Sequence, residues 1–250
     1  MKISGVVLSR NEERRIGRCL ESLGFCDEVI LIDDFSTDQT VEITKGRGGV
    51  VFQRKLEGNF AAQRNFGLKK AKNEWVLFLD ADEVVSPALS LGIVRRVKET
   101  EEKGIAGYYF SRRDFFINGF LNYGETSQVK LLRLAKKSAG IWEGKVHERW
   151  IIQKRTKTMK NPILHYSHST LADSFSRINF YSSLRADELF AQGKNASLAE
   201  VIIYPLAKFL KNYFWHWGFL DKTRGLIFAL MMSWHSFLVR AKLWQFNNEP

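Results

Sequence analysis

Three short runs constrain this chain more than anything else in it. Residues 3–9 (ISGVVLS), 28–33 (EVILID) and 75–80 (WVLFLD) are almost uninterrupted apolar stretches, and each ends on a polar or acidic residue. A strand with one wet face alternates apolar and polar residues. These runs do not alternate, so both of their faces need cover. Between and after them, residues 13–23, 37–45, 59–71 and 88–98 repeat apolar positions at helical spacing, the last following Pro87, and 50–53 reads as another strand. Such alternation of strands and helices predicts βαβ units around a parallel sheet. The middle changes character: 107–111, 129–134, 146–152 and 163–167 read as strands between irregular loops. Residues 171–192, 198–215 and 221–243 read as three long helices. The expectation is an α/β fold, a mostly parallel sheet with helices on both faces, followed by a C-terminal helical extension.

Composition narrows the function classes. The 250 residues are 45% hydrophobic, which suits one large domain or a domain with an appendage. Cys19 and Cys26 are too few for a disulfide framework and lie in no zinc-like cluster; Cys19 continues the apolar series of Ile16, Leu20 and Leu23. The N-terminus shows no signal-peptide pattern, and the expected compartment is a reducing cytosol. The most apolar stretch, 225–239, is 15 residues long and contains His235, short of the ~20 residues needed to span a bilayer.

In an open parallel sheet the ligand crevice lies beyond the carboxyl ends of the strands. The residues there are Ser9-Arg10-Asn11-Glu12, Asp33-Asp34-Phe35-Ser36-Thr37-Asp38 and Asp80-Ala81-Asp82-Glu83. Three strand ends in one sheet thus carry acids, whose mutual repulsion a divalent cation would offset. Asp80 and Asp82, two apart on an extended segment, point to the same side. Hard oxygen donors at that spacing suit Mg²⁺ or Mn²⁺ holding a substrate phosphate. The plainer reading makes these acids turn and cap residues, with Ser36 or Thr37 as N-cap of the following helix. No Gly-x-Gly-x-x-Gly follows the first strand, and no Walker Gly-Lys-Ser/Thr occurs, which argues against a dinucleotide fold and a P-loop.

The ordered set V-V-L-S-R-N-E-E, V-I-L-I-D-D-F-S-T-D-Q-T, A-A-Q-R-N-F-G-L and W-V-L-F-L-D-A-D-E resembles glycosyltransferase family 2, which has the GT-A fold. W-E-G-K-V-H-E, L-H-Y-S-H and G-F-L-D-K-T-R-G-L-I-F-A resemble its branch of bacterial lipopolysaccharide-core β-glucosyltransferases. The resemblance implies an inverting, metal-dependent enzyme that takes a nucleotide-sugar donor, UDP-glucose, and a glycan or glycolipid acceptor. It implies that Ser9, Asn11 and Glu12 line the nucleotide pocket, that Asp33 or Asp34 contacts the base, and that Arg64 and Asn65 lie near the donor phosphates. Asp80 and Asp82 would contact ribose and metal. Asp34-Phe35 departs from relatives with smaller residues there, which bears on base stacking. The division expected is a catalytic domain over 1–168, with a nucleotide-binding half to about 100 and an acceptor half to 168, then the extension 169–250.

Breaking a sugar–diphosphate bond in one inverting displacement needs one base for the acceptor hydroxyl. Glu148 is the first choice and Glu143 the second, since both lie in a basic stretch that favours the ionised form. His165 and His147 are candidate further metal ligands. Residues 129–160 hold ten Lys and Arg against two Glu, much of the net charge of +11. No RNA-binding motif accompanies them, so a phosphorylated sugar or an anionic lipid fits better than nucleic acid. The aromatic, cation-edged helices of the tail suit either a peripheral site on the cytoplasmic face of the inner membrane or a homodimer contact. The rival classes are a nucleotidyltransferase making nucleotide-sugars, which should show a Gly-rich phosphate loop, and a basic membrane or nucleic-acid adaptor.

Overall fold

A computed structural model describes residues 1–99, 104–145, 148–166 and 170–248. The strands and helices are β1 (Ile3–Ser9), α1 (Glu13–Ser22), β2 (Glu28–Asp33), α2 (Thr40–Gly46), β3 (Val50–Gln53), α3 (Phe60–Lys70), β4 (Trp75–Asp80), β5 (Glu83–Val84), α4 (Pro87–Glu99), β6 (Gly107–Asp114), β7 (Lys130–Lys136), β8 (Gly140–Glu143), β9 (Arg149–Ile152), β10 (Thr156–Thr158), β11 (Ile163–His165), α5 (Leu171–Ala191), α6 (Leu198–Leu210) and α7 (Lys222–Asn248). The chain forms two compact units, residues 1–112 with 129–165, and residues 113–128 with 166–250.

In the first unit the main sheet runs β3-β2-β1-β4-β7-β6-β11-β5, with β10 added to β6. Strands β3, β2, β1 and β4 are parallel, and β7 is antiparallel to both β4 and β6. The α/β class is therefore as expected. Both faces are dry, and this explains the unbroken apolar runs. Val7, Leu31, Leu77 and Leu79 pack with Ile16, Leu20, Leu89 and Ile93 on one face, while Val6, Ile30, Ile32 and Phe78 pack with Ala61 and Leu68 on the other. Neighbouring residues of one strand thus enter different cores.

The second face has a cover the sequence did not announce. Only Arg149–Ile152 of the strand expected at 146–152 is described as strand, and it pairs with Gly140–Glu143 in a separate two-stranded sheet. Trp142 and Trp150 stack at 5.2 Å within this hairpin and meet Phe78 edge-on. Helix α2 starts at Thr40, later than expected, because Asp38 accepts hydrogen bonds from the Thr40 amide and hydroxyl.

In the second unit, the long helix expected at 198–215 ends at Leu210 and continues as a π-helical turn, Lys211–Trp215. Ala186, Leu189, Val239 and Leu243 form one core there; Phe116, Leu121, Ile178 and Met231 form another. With its preceding turn, α7 makes one continuous stretch, Gly218–Asn248, long and apolar enough by length and composition to cross a membrane. The uncharged run of 15 residues understated that length.

Candidate active site

The first loop is built by exchange between strand ends. Asn11 adopts a left-handed backbone (φ 55°), and its side-chain oxygen accepts from the Thr37 amide at 2.8 Å while its own amide donates to Ser36 Oγ at 2.9 Å. The Glu12 amide donates to Thr40 Oγ1 at 2.8 Å, and Arg15 pairs with Glu12 at 2.6 Å. Asp38 accepts from the Glu13 amide at 3.0 Å as well as from Thr40. Against a small cost of burial, these hydrogen bonds hold the Asp38 carboxyl below its usual range. Ser36 and Thr37, expected as caps, instead tie the β2 loop to the β1 loop.

Asp33 and Asp34 differ in their freedom. Asp33 is fully buried and accepts from the Ser36 amide, Ser36 Oγ and Gln53 Nε2, so its oxygens are already used within the fold. Asp34 accepts from the Leu56 amide at 3.0 Å and from Arg10 at 3.2 Å. Next to it, Phe35 is exposed with a left-handed φ of 51°, a strained conformation for a bulky residue of the kind that clusters at ligand sites. Beside these loops lies a cleft of about 370 Å³ whose lining includes Ser36, Asp38, Lys45 and Gln53.

The acids after β4 meet two buried arginines. Arg64, from α3, is 3% exposed; its Nη2 donates to Asp80 at 2.8 Å and its Nε to Glu148 at 2.7 Å. The guanidinium lies 4.7 Å over the Trp142 ring. Its Nη1 is buried without a hydrogen-bond partner among the described residues, as is Ser9 Oγ at the end of β1. Unsatisfied buried donors are costly to a fold. Arg133, from β7, donates to the other Asp80 oxygen at 2.6 Å and to Glu83 at 3.1 Å. Burial works against ionising Asp80, but Arg133 and Arg64 outweigh it and hold the carboxyl well below the usual range. Burial, with Asp80 close by, pushes Glu83 upward despite Arg133. The carboxylates in turn keep buried Arg133 firmly protonated.

Asp82 lies apart from this cluster, its Oδ2 3.2 Å from His165 Nε2. β5 and β11 pair so that His165 faces Glu83 in register, which brings the imidazole to the acidic loop. One carboxylate beside one imidazole nitrogen is a donor pair that suits Mn²⁺, with substrate oxygens supplying further positions. Asp80 does not fit as a free ligand, since both of its oxygens are held by guanidinium groups. Among the described residues no group of three His, Cys, Asp or Glu is arranged to hold a metal. His147 lies outside the described residues. Asn65 anchors the hairpin: its amide donates to the Trp142 carbonyl at 2.8 Å and accepts from the Trp142 amide at 2.9 Å. Glu143 is exposed, opposite Arg149 on that hairpin.

Arg133 escaped the sequence reading, which named Glu83 only among the acids after β4. The legible signal was a lone arginine inside the apolar strand LLRLA, because a charge buried in a sheet requires an opposite partner. Cys19 and Cys26 are free thiols; burial pushes both up, Cys26 to about 12, so neither is a reactive thiolate.

Comparison with known proteins gives one picture. The profile described as glycosyl transferase family 2 matches residues 4–171. The lipopolysaccharide core biosynthesis glycosyltransferase LpsC of Rhizobium meliloti (strain 1021) is 27% identical over 252 residues, covering 98% of this chain and 93% of the relative. The uncharacterized glycosyltransferase RT0209 of Rickettsia typhi is 28% identical over 253 residues, covering 97% and 86%. Among solved structures, S. aureus TarS 1-349 in complex with UDP-GlcNAc aligns with a TM-score of 0.48 at 16% identity, covering 99% of this chain and 92% of that one.

Proposed function

The chain belongs to glycosyl transferase family 2, and from that premise we propose that it moves a hexose, glucose from UDP-glucose, onto a lipopolysaccharide-core or similar cell-surface saccharide. The acceptor class draws on the likeness to LpsC over nearly the whole chain. The transfer is a single inverting displacement on the cytoplasmic side of the membrane, carried out by residues 1–168. The observation that carries the reading is Arg64, one buried guanidinium joining Asp80 to Glu148 with a third nitrogen unsatisfied among the described residues.

Each residue then has a task. Ser9 Oγ and Arg64 Nη1 donate to donor oxygens, and Phe35 and Asp34 meet the base. Arg64 opposes the negative charge that grows on the diphosphate as the sugar leaves, in a site where burial makes that opposition strong. Glu148 takes the proton of the attacking hydroxyl, one oxygen held by Arg64 and the other unpartnered among the described residues. Glu143 is the alternative base. Asp82 and His165 would hold Mg²⁺ or Mn²⁺, which when bound adds Lewis-acid stabilisation of the leaving diphosphate. Asp80 acts by fixing the two arginines.

Substituting the proposed base tests this. Glu148→Gln should bind UDP-glucose with unchanged affinity and lower kcat for transfer by about 10²–10⁴-fold. Binding by calorimetry and turnover by product analysis separate the two. A variant that turns over like wild type removes Glu148 from the role.

A further inference from the structure

The second unit presents an apolar ridge that its own fold leaves uncovered. None of the 13 residues of α6 is buried. At about 100° per residue, Leu198, Ile202, Leu206, Leu210 and Ile203 fall within an arc of about 140° that contains no charge. Leu198 is 69% exposed and Ile202 63%. The ridge continues through the π-helical turn to Trp215, 77% exposed, and Trp217, 58% exposed.

This ridge is held in place from behind. The buried Asn212 side chain accepts from the Glu125 amide at 3.0 Å and donates to the Lys208 carbonyl at 3.3 Å. Lys208 pairs with Glu125, and Asp221 accepts from the amides of Asn122 and Tyr123. A Cβ on Gly218 would lie 2.6 Å from the Asn212 carbonyl oxygen, so the turn closes only with glycine there. Trp217 keeps a left-handed backbone (φ 59°), a conformation disfavoured for any residue but glycine. The fold therefore holds two tryptophans outward at the end of an apolar helix.

We propose that this ridge, α6 with the turn at 211–220, docks on the surface of an anionic lipid bilayer. Charge selects that occupant over a second copy of the chain. The exposed charges at the end of the ridge, Lys211 and Lys222, are both cationic; a second copy would bring the same two cations, whereas an anionic leaflet attracts them. Chemistry agrees: Trp215 and Trp217 suit the headgroup level, and Lys211 and Lys222 beside them reach anionic headgroups along their aliphatic stems. The docking is independent of which sugar is transferred.

Flotation of the full chain with vesicles tests this. Wild type should float with phosphatidylcholine vesicles containing about a third phosphatidylglycerol and at least about tenfold less with phosphatidylcholine alone. Ile202→Glu with Leu206→Glu should lose flotation by at least about tenfold, with circular dichroism and thermal transition kept. Trp217→Gly, which suits the left-handed backbone, should fold as wild type and float more weakly. Three results overturn the proposal: wild type that stays in solution, acidic or glycine variants that float unchanged, or a wild-type dimer by light scattering that Leu206→Glu turns into a monomer.

Discussion

At the scale of single residues, the site is organised by two arginines more than by its acids. Asp80 ends a buried strand and is neutralised from two elements, α3 through Arg64 and β7 through Arg133. Removing one partner of such a set strands buried charge. Arg133→Met should lower unfolding free energy by about 3–5 kcal/mol in urea titrations. The pH dependence has a definite sign. Asp80 has a folded value below the unfolded one of about 3.9, so its contribution is complete above about pH 4 and is lost as pH falls toward the folded value. Glu83 is shifted up and acts oppositely, its contribution present at low pH and lost as pH rises through its folded value. Asp80→Asn should therefore make the acid side of a stability–pH curve shallower below about pH 4, as followed by urea midpoints. A slope equal to wild type would show that Asp80 is not the group responsible.

At the scale of elements, position depends on close approach. Helix α3 delivers Arg64 because Gly67 lets it sit on the sheet: a Cβ there would come within 2.7 Å of Val6 Cγ1 and 3.1 Å of Ile32 Cγ1. Gly67→Ala should cost about 1–3 kcal/mol of stability and reduce activity with it, because lifting the helix moves Arg64 away from Asp80. Thermal melts and turnover of the same preparation check both. The β8–β9 hairpin is located the same way, through Asn65 on α3 and the Trp142–Trp150 stack on Phe78. Glu148, immediately before β9, is thereby brought to Arg64 across 84 positions of sequence.

At the scale of the whole molecule, donor binding should appear as stability. A ligand that binds only the folded chain at about a hundred times its Kd adds about 2.7 kcal/mol. UDP with Mn²⁺ should then raise the melting temperature of the unit containing residues 1–112 by about 5–10 °C, with a smaller rise without the metal. A thermal-shift panel of nucleotides decides it, and equal shifts with and without Mn²⁺ would remove Asp82 and His165 from metal binding. Much of this molecule was legible in the linear order of residues. VVLS, VILID and WVLFLD required a sheet dry on both sides because polar residues do not alternate through them and stand only at their ends, and the acids at and after those ends pointed to the crevice because strand ends open there. The aromatic tail likewise announced helices with an apolar face. Other features depended on which segments meet. Asp33 and Asp34 are indistinguishable in sequence, yet Asp33 is fully buried against Ser36 and Gln53 while Asp34 is partly exposed and takes the Leu56 amide and Arg10. Nothing in the linear order says that Asn65 meets the hairpin backbone at Trp142 or that Asp80 meets two guanidinium groups. Local pattern determines how far each side chain is forced from water. Which partner then satisfies its charge or hydrogen bond is a matter of long-range approach, and only the folded chain decides it.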